Sequence, residues 1–437
     1  MQREMKDSGI EWIGKIPTHW SISKMKYIGQ YINGYAFKPE DWGSVGKRII
    51  RIQDLTRYND NPNYYDGEID SKYLIKAGDI LVSWAATLDA FVWEYEEGWL
   101  NQHIFKALPN YNLVDCDYFY WLIKEAMHNM SNENLHGIMM QHVTLGLFGN
   151  YAIPLPPISE QKAIADFLDR RCTEIDAVIE QTKATIEEYK KLKQSIITEA
   201  VTKGIRGDRP MKDSGIEWIG DIPAEWKVVK MKHLGKCRNG LTYSPENLVS
   251  SEDGILVLRS SNIKDGRLIF TDNVYVNIEV REELLVKAGD ILICSRNGSR
   301  ALIGKNALIP EGLYASFGAF MMIFRCQSPE YVQMILNSSV FSYYLGTFLT
   351  STINQLTAEN FNNMQIVYCQ DEREQKEITA YLEQKCSEID TLIAKKTALL
   401  EEMETYKKSV IYEYVTGKKE VYQSTGAKES IKNEEIM

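Results

Sequence analysis

The chain writes one stretch twice. Residues 6–20 read KDSGIEWIGKIPTHW and residues 212–226 read KDSGIEWIGDIPAEW, 206 positions apart. The correspondence runs on: KMKYIG (24–29) answers KMKHLG (230–235), KAGDILVSW (76–84) answers KAGDILICS (287–295), and EQKAIADFLDRRCTEIDAVI (160–179) answers EQKEITAYLEQKCSEIDTLI (374–393). The last offset, 214, holds without a gap to EAVT (199–202) and EYVT (413–416). Such self-similarity makes the chain a tandem duplication, so its fold must build one unit twice. Openings and closings match closely, whereas the blocks between share only anchors such as Arg51 with Arg259 and the KAGDIL strands. A kept frame around two diverged inserts implies one task done twice and two related tasks done differently.

Each closing segment predicts a long helix. In the first, Pro154, Pro156 and Pro157 stiffen the approach, Ser159 can cap, and Glu160 suits the positive N-terminal end. From Ile164 to Val201 there is no Gly or Pro, and Leu168, Cys172, Ile175, Ile179, Thr182, Ile186, Tyr189, Lys193, Ile196 and Ala200 keep the spacing of a coiled-coil seam. These 38 residues make a rod of roughly 57 Å, ending near Gly204. The second copy repeats the seam at Leu382, Cys386, Ile389, Ile393, Lys396, Leu400, Met403, Lys407, Val410 and Tyr414. One such exposed stripe is marginal alone, but two in one chain can bury each other, and a pseudo-two-fold axis across them sets them antiparallel. The alternative is a solvated spacer helix packed on its own domain. Cys172 and Cys386, at equivalent seam positions, are expected to serve as small buried hydrophobes.

The blocks between carry strand signals. RIIRIQDLT (48–56) and GILVLRSSNI (254–263) are apolar, β-branched runs that end in turn residues, and each KAG is a turn feeding a strand. Short helices fit 115–130 and 329–346. The expected fold class is α+β: two α+β domains separated by two long helices forming an antiparallel coiled coil, with pseudo-two-fold internal duplication. The boundaries follow as 1–155 for the first domain with its opening, 156–205 for the central helix, 206–369 for the second domain, 370–418 for the distal helix and 419–437 for a disordered tail.

Composition narrows the function. Apolar residues are 44% and charged residues 25%, ordinary for a globular protein. No run of about 18 apolar residues exists, so no membrane span is expected. The polar start MQREMKDSG predicts no secretory signal. Seven cysteines form no CxxC pair, a scatter expected of reduced thiols in a cytoplasm rather than of disulfides or zinc. The net charge of −10 weighs against a stand-alone nucleic-acid binder. Residues 20–154 carry 11 basic and 16 acidic side chains and residues 224–369 carry 14 and 13, so neither block is a polycation. If the chain binds DNA, other subunits supply much of the phosphate neutralisation. Catalytic motifs are missing: there is no GxGxxG, HExxH or Gly-x-Ser-x-Gly, GSVGK (43–47) is too short for a P-loop, and GSRALIGKN (298–306) has Asn306 where Ser or Thr is needed. LPPI (155–158) lacks the leading Asn or Asp of a base-amino methyltransferase motif. No catalytic residue, metal or cofactor is assigned; the chain is read as directing chemistry done by others.

SGIEWIGxIPxxW at the head of each half, the GDIL strand with its polar loop, IPLPPISEQKAIADFLD opening the first long helix, and EID with EAVTKG continuing it cover most of 6–204 and 212–418. In these features the chain resembles the DNA-specificity subunits of type I restriction–modification systems. The resemblance implies two target-recognition domains on an antiparallel helical spacer, reading the halves of a split, non-palindromic site in double-stranded DNA. It also implies recruitment of two methyltransferase subunits, which bring restriction subunits; the assembly, not this chain, would methylate adenine and cut DNA with ATP. One departure stands out: MQIVYCQDEREQ (364–375) lacks the prolines of the first copy. A coiled-coil adaptor with two protein-binding heads is the competing reading.

Base edges favour Arg, Asn, Gln, Ser and Thr. In the second domain SRNGSR (295–300) offers Arg296, Asn297, Ser299 and Arg300, with Lys305 for phosphate, against an ordinary charged loop. In the first domain SWAATLD (83–89) offers Trp84 and Thr87, though Trp84 is equally a core candidate. Arg51 and Arg259 match in position; Arg259 with Asn262 forms a base-reading pair, and Arg51 either reads or holds a local salt bridge. The polar clusters Asn101, Gln102 and His103, then Gln141, His142 and Thr144, then Gln355 and Thr357, are DNA contacts or turns and caps. His103 and His142 have no spaced partner for a metal. Trp12 with Ile13 and Trp218 with Ile219, in the duplicated opening, either pack the frame or meet a partner subunit.

Overall fold

The computed structural model describes residues 3–56, 61–85, 87–135, 143–251, 253–349 and 354–421. The chain forms two units, Met1–Gln181 with Leu399–Met437 and Thr182–Ala398.

In the first unit Met5–Asp7 pairs antiparallel with Lys15–Pro17, and Ser21–Lys24 with Ala152–Leu155, which ties the opening to the approach of the first long helix. Between them lies a four-stranded antiparallel sheet in the order Gly29–Asn33, Ile104–Pro109, Ile80–Ser83, Asp89–Val92. A second sheet centres on Lys47–Ile50 parallel to Gly98–Leu100. Helix Cys116–Leu135 packs on strand Asp89–Val92, and Lys124 Nζ donates to Asp89 at 2.8 Å.

The second unit repeats the plan. Met211–Asp213 pairs with Asp221–Pro223, and Lys227–Lys230 with Gln365–Tyr368. The four-stranded sheet has the order Gly235–Asn239, Met321–Cys326, Ile291–Cys294, Asn306–Leu308, and the second sheet keeps the parallel pair, Ile255–Leu258 with Ala315–Phe317, now at its edge. The helical stretch expected over 329–346 is two helices, Pro329–Leu336 and Ser339–Phe348, broken where the buried Ser338 turns its Oγ back to the Ile335 carbonyl at 2.6 Å.

The repeated KAGD has a local cause. Gly78 and Gly289 hold φ of 92° and 81°, a region costly for any residue with a Cβ. The Asp79 and Asp290 carboxylates then accept the Lys76 and Lys287 amides at 2.8 Å, closing each turn before its strand. The strands expected over 48–56 and 254–263 stop early, at Ile50 and Leu258. There Asp54 and Asn262 fold back to accept the amides of Arg51 and Arg259, at 2.8 and 2.9 Å, which turns the chain into a short helix.

The long helices span Ile158–Lys203 and Glu372–Val415. The first starts one residue before the expected cap: the Pro157 carbonyl accepts from Glu160 and Gln161, so Ser159 lies inside the first turn. The second needs no proline, because Asp371 Oδ1 accepts the Arg373 amide at 2.9 Å. Left-handed glycines, Gly204 and Gly417, follow the two ends.

Within the first unit Phe167 packs on Tyr414 and Asp176 pairs with Lys407 at 2.6 Å; one number rises as the other falls, so these segments are antiparallel. Leu168, Cys172, Ile175 and Ile179 are buried there, with Val410, Ile411 and Val415; Leu400 is half-buried. Within the second unit Lys193 pairs with Asp390 at 2.6 Å and Arg206 with Glu377 at 2.6 Å, again antiparallel. Ile186, Leu382 and Ile389 are buried, while Cys386 and Ile393 are half-buried. Burial pushes the Cys172 thiol up to about 11 and raises that of Cys386, so both stay protonated packing groups at neutral pH. All seven cysteines are free thiols. No helix of the described residues is long and apolar enough to cross a membrane. Of the expected tail, Lys419 pairs with Glu413 at 2.8 Å and Val421 packs on the first core, whereas 422–437 lie outside the described residues.

Candidate nucleic-acid interface

Each unit is clamped by the same three side chains. Trp20 is buried and donates Nε1 to Glu160 at 3.0 Å, while Arg3 pairs with Glu160 and lies 5.4 Å from the Trp20 ring centre. Trp226 is buried and donates to Glu374 at 3.3 Å, while Arg209 pairs with Glu374 and lies 5.6 Å from the Trp226 ring. Burial alone would raise both carboxyls, but the donors around them outweigh it and hold Glu160 and Glu374 below the usual range. The next residue serves the loops: Gln161 Nε2 donates to the Leu113 and Pro156 carbonyls, and Gln375 Nε2 to that of Cys369. This explains the repeated Glu-Gln pair, which spacing alone did not single out.

The residues of the duplicated opening pack the frame. Trp12 stacks on Tyr151 at 5.5 Å and donates to the Ala152 carbonyl, and Ile13 is fully buried. Trp218 stacks on Tyr343 at 4.3 Å with Ile219 half-buried beside it. For Ile13 a partner contact is excluded by burial.

At one end of each unit, chain segments far apart in sequence converge in the same hydrogen-bond pattern. In the first, the Trp84 amide donates to the His103 carbonyl at 3.2 Å and the Val143 amide to the Trp84 carbonyl at 3.1 Å. In the second, the Ser295 amide donates to Phe320 at 2.9 Å and the Leu356 amide to Ser295 at 2.7 Å. Trp84 therefore matches Ser295, and His103 matches Phe320.

Around this point in the second unit Arg296 is exposed, its guanidinium 5.3 Å from the ring centre of Phe320, itself 58% exposed. Arg296 bridges to the exposed Gln355 as an antiparallel pair. Asn297 Nδ2 donates to Ser260 at 3.1 Å, joining this loop to the turn at 259–262, and its Oδ1 accepts the amide of the exposed Ser299. Arg300 is exposed and reaches the Gly346 carbonyl at 3.4 Å; Lys305 is half-buried where the hairpin returns. Phe320 carried no polar signal in the sequence. Further along the edge strand Gly235–Asn239, a cleft is lined by Lys232, Lys236, Arg238 and Asn362.

In the first unit Arg51 lies 5.0 Å from the ring of Trp42, which is 43% exposed, while the buried Arg48 takes Asp54 at 2.6 Å. Among the described residues Arg48, not Arg51, thus makes the local salt bridge. Trp84 is half-buried, stacked 5.7 Å from Phe105 and, tilted, 4.9 Å from His103, whose φ is 76°. Thr87 is exposed; Asn101 and Gln102 are half-buried in the same junction, where the Asn101 amide donates to Ile50 and the Gln102 amide to Tyr35.

Other expected readers have structural duties. Asn262 is fully buried, with Oδ1 on the Arg259 amide and Nδ2 on the Ile269 carbonyl and Asn273, so it cannot touch a base. Arg259 spends its guanidinium on Asp272 at 2.7 Å. Thr144 and Thr357 are helix N-caps that accept the Leu147 and Asn360 amides at 3.3 and 3.1 Å. Gln141 and His142 lie outside the described residues. Among the described residues no group of three or more His, Cys, Asp or Glu could hold a metal ion.

The sequence model of one family, described as the type I restriction modification DNA specificity domain, matches residues 17–188 and again 223–402. The chain belongs to that family. Among its relatives are the EcoBI type I restriction enzyme specificity subunit of Escherichia coli, 24% identical over 82% of this chain and 77% of that protein. The MjaVIII specificity subunit of Methanocaldococcus jannaschii is 26% identical over 87% of this chain and 93% of its own length. A solved chain from work on complex assembly and conformational transition of the type I R-M system superposes with a TM-score of 0.68 at 14% identity, covering 92% of this chain and 98% of that one, which fixes the shared fold. The two matched segments cover the tryptophan and glutamate of each clamp and the converging loops of each unit, so this specificity-domain chain is not favoured as a coiled-coil adaptor.

Proposed function

We propose that this chain is the sequence-reading subunit of a type I restriction–modification complex, recognising a bipartite, non-palindromic DNA site with one half for each unit. The observation that carries the reading is the pair of converging ends: one hydrogen-bond frame in two family segments, with Trp84 and His103 in one and Ser295 and Phe320 in the other. Equal frames offer two equivalent docking places to DNA, and unequal side chains ask for unequal half-sites. The chain acts without a cofactor or catalytic group of its own, in the cytoplasm, and holds two methyltransferase subunits through which restriction subunits join. The cleft lined by Lys232, Lys236 and Arg238, the last paired with Glu283 at 3.0 Å, supports a phosphate contact on the second unit, since such contacts position a protein without reading sequence.

The test is a genome-wide map of methylated bases in cells that express the partner subunits, with and without this gene. A two-part motif that disappears with the gene is expected. Absence of any chain-dependent motif would sink the proposal.

A further inference from the structure

Resting on that reading, we propose that the second unit reads two neighbouring base pairs, a G·C pair through Arg296 and the adjacent A·T pair through Gln355. Arg296 and Gln355 face each other in an antiparallel bridge, so their side chains leave on the same side, about 5 Å apart at Cβ. That separation suits neighbouring base pairs, which stack about 3.4 Å apart along the duplex. Both residues are exposed. The Arg296 guanidinium lies over the Phe320 ring and donates to no acceptor among the described residues, so its in-plane N–H fork is held open.

The backbone beneath is fixed, because the Arg296 amide donates to Phe320 at 3.1 Å and the Leu356 amide to Ser295 at 2.7 Å. A stiff Arg fork matches guanine O6 and N7, and a glutamine amide matches adenine N6 and N7. The other arginines nearby are engaged: Arg259 holds Asp272 and Arg300 reaches Gly346. In the first unit the position matching Arg296 is Ala85, so this pair of readers belongs to one half-site only.

The experiment maps methylated motifs in cells carrying the full complex with the wild-type chain, Arg296→Ala or Gln355→Leu. A motif with adjacent G·C and A·T pairs in one half is expected. Arg296→Ala should cut discrimination at that G·C pair by about 10- to 100-fold and leave the other half intact; Gln355→Leu should do the same at the A·T pair. Should Arg296→Ala abolish methylation, the wild-type complex is titrated with duplex carrying 7-deazaguanine at that position, which lacks the N7 acceptor; about tenfold weaker binding is expected. A two-part motif with no such neighbouring pairs, or unchanged discrimination in both variants, would overturn the assignment while leaving the DNA-specificity reading standing. So would equal weakening on every sequence with a salt slope shallower by about one, the mark of a phosphate contact. No chain-dependent motif at all would overturn both.

Discussion

In the first unit the strand Ile80–Ser83 runs into a half-buried tryptophan, stacked on Phe105 and tilted against His103. In the second, Ile291–Cys294 runs into a buried serine and then an exposed arginine lying on Phe320. The strands, the turns that feed them and the amide that crosses to the neighbouring loop are the same. A backbone frame can thus be copied whole while the chemistry it presents is rewritten, because the frame's hydrogen bonds use main-chain atoms and leave the side chains free to vary. The clamp behaves in the opposite way. It depends on particular side chains, and Arg, Trp and Glu recur in both units.

The largest effect is expected at the clamp, where side chains rather than main-chain atoms hold each unit. Trp20→Ala and Trp226→Ala should each cost about 3–5 kcal/mol in denaturant unfolding, through the cavity and the lost donor to Glu160 or Glu374. A large loss in one unit and none in the other would show that the two clamps are not equivalent.

Next comes pH. The first unit buries Glu125, and burial pushes its carboxyl up to about 7 despite the 2.6 Å hydrogen bond from Asn129. The folded state then holds a proton that the unfolded chain releases near the ordinary 4.5, so stability falls as pH rises from about 4.5 to 7 and is flat above. Glu125→Gln should remove this slope and raise stability at pH 8 by on the order of 3 kcal/mol in thermal melts. Glu160 and Glu374 act with the other sign: their depressed values lend stability above the ordinary carboxylate range that is lost on acidification through the folded-state values.

Smaller and symmetrical effects follow. Thr144→Ala and Thr357→Ala should each cost about 1 kcal/mol as lost N-caps. They should leave the methylated motif unchanged; a shifted motif would return these threonines to the readers. Smallest is Asp272→Ala, which breaks an exposed ion pair with Arg259 and should cost under about 1 kcal/mol in urea unfolding.

What could be read from the letters followed the duplication. Two α+β blocks, two long helices and their antiparallel seam come from periodicity and from matched segments, because helix and strand patterns are local. The clamp was half visible: Trp20, Trp226, Glu160 and Glu374 all stand in matched segments, but Arg3 meets Glu160 across 157 residues, a distance no spacing rule spans. The reading ends were less legible. Thr144, Thr357 and Asn262 have the composition of base readers and serve as caps and a turn, since the same oxygen that accepts from a base accepts from a backbone amide. Phe320 offered no polar sign and emerges only as the support under Arg296.

The first unit's core takes in Val410, Ile411 and Val415, and Tyr118 Oη donates to the Val415 carbonyl at 3.4 Å. A core begun around Leu168 is therefore finished about 240 residues later in the chain. On the ribosome, at about 5–20 residues per second, Leu168 and Cys172 wait on the order of ten to fifty seconds for the apolar residues that cover them. Through that interval the nascent chain offers a sticky face to chaperones and to its neighbours on the same message, and a stop codon anywhere before Val410 leaves that face bare for good.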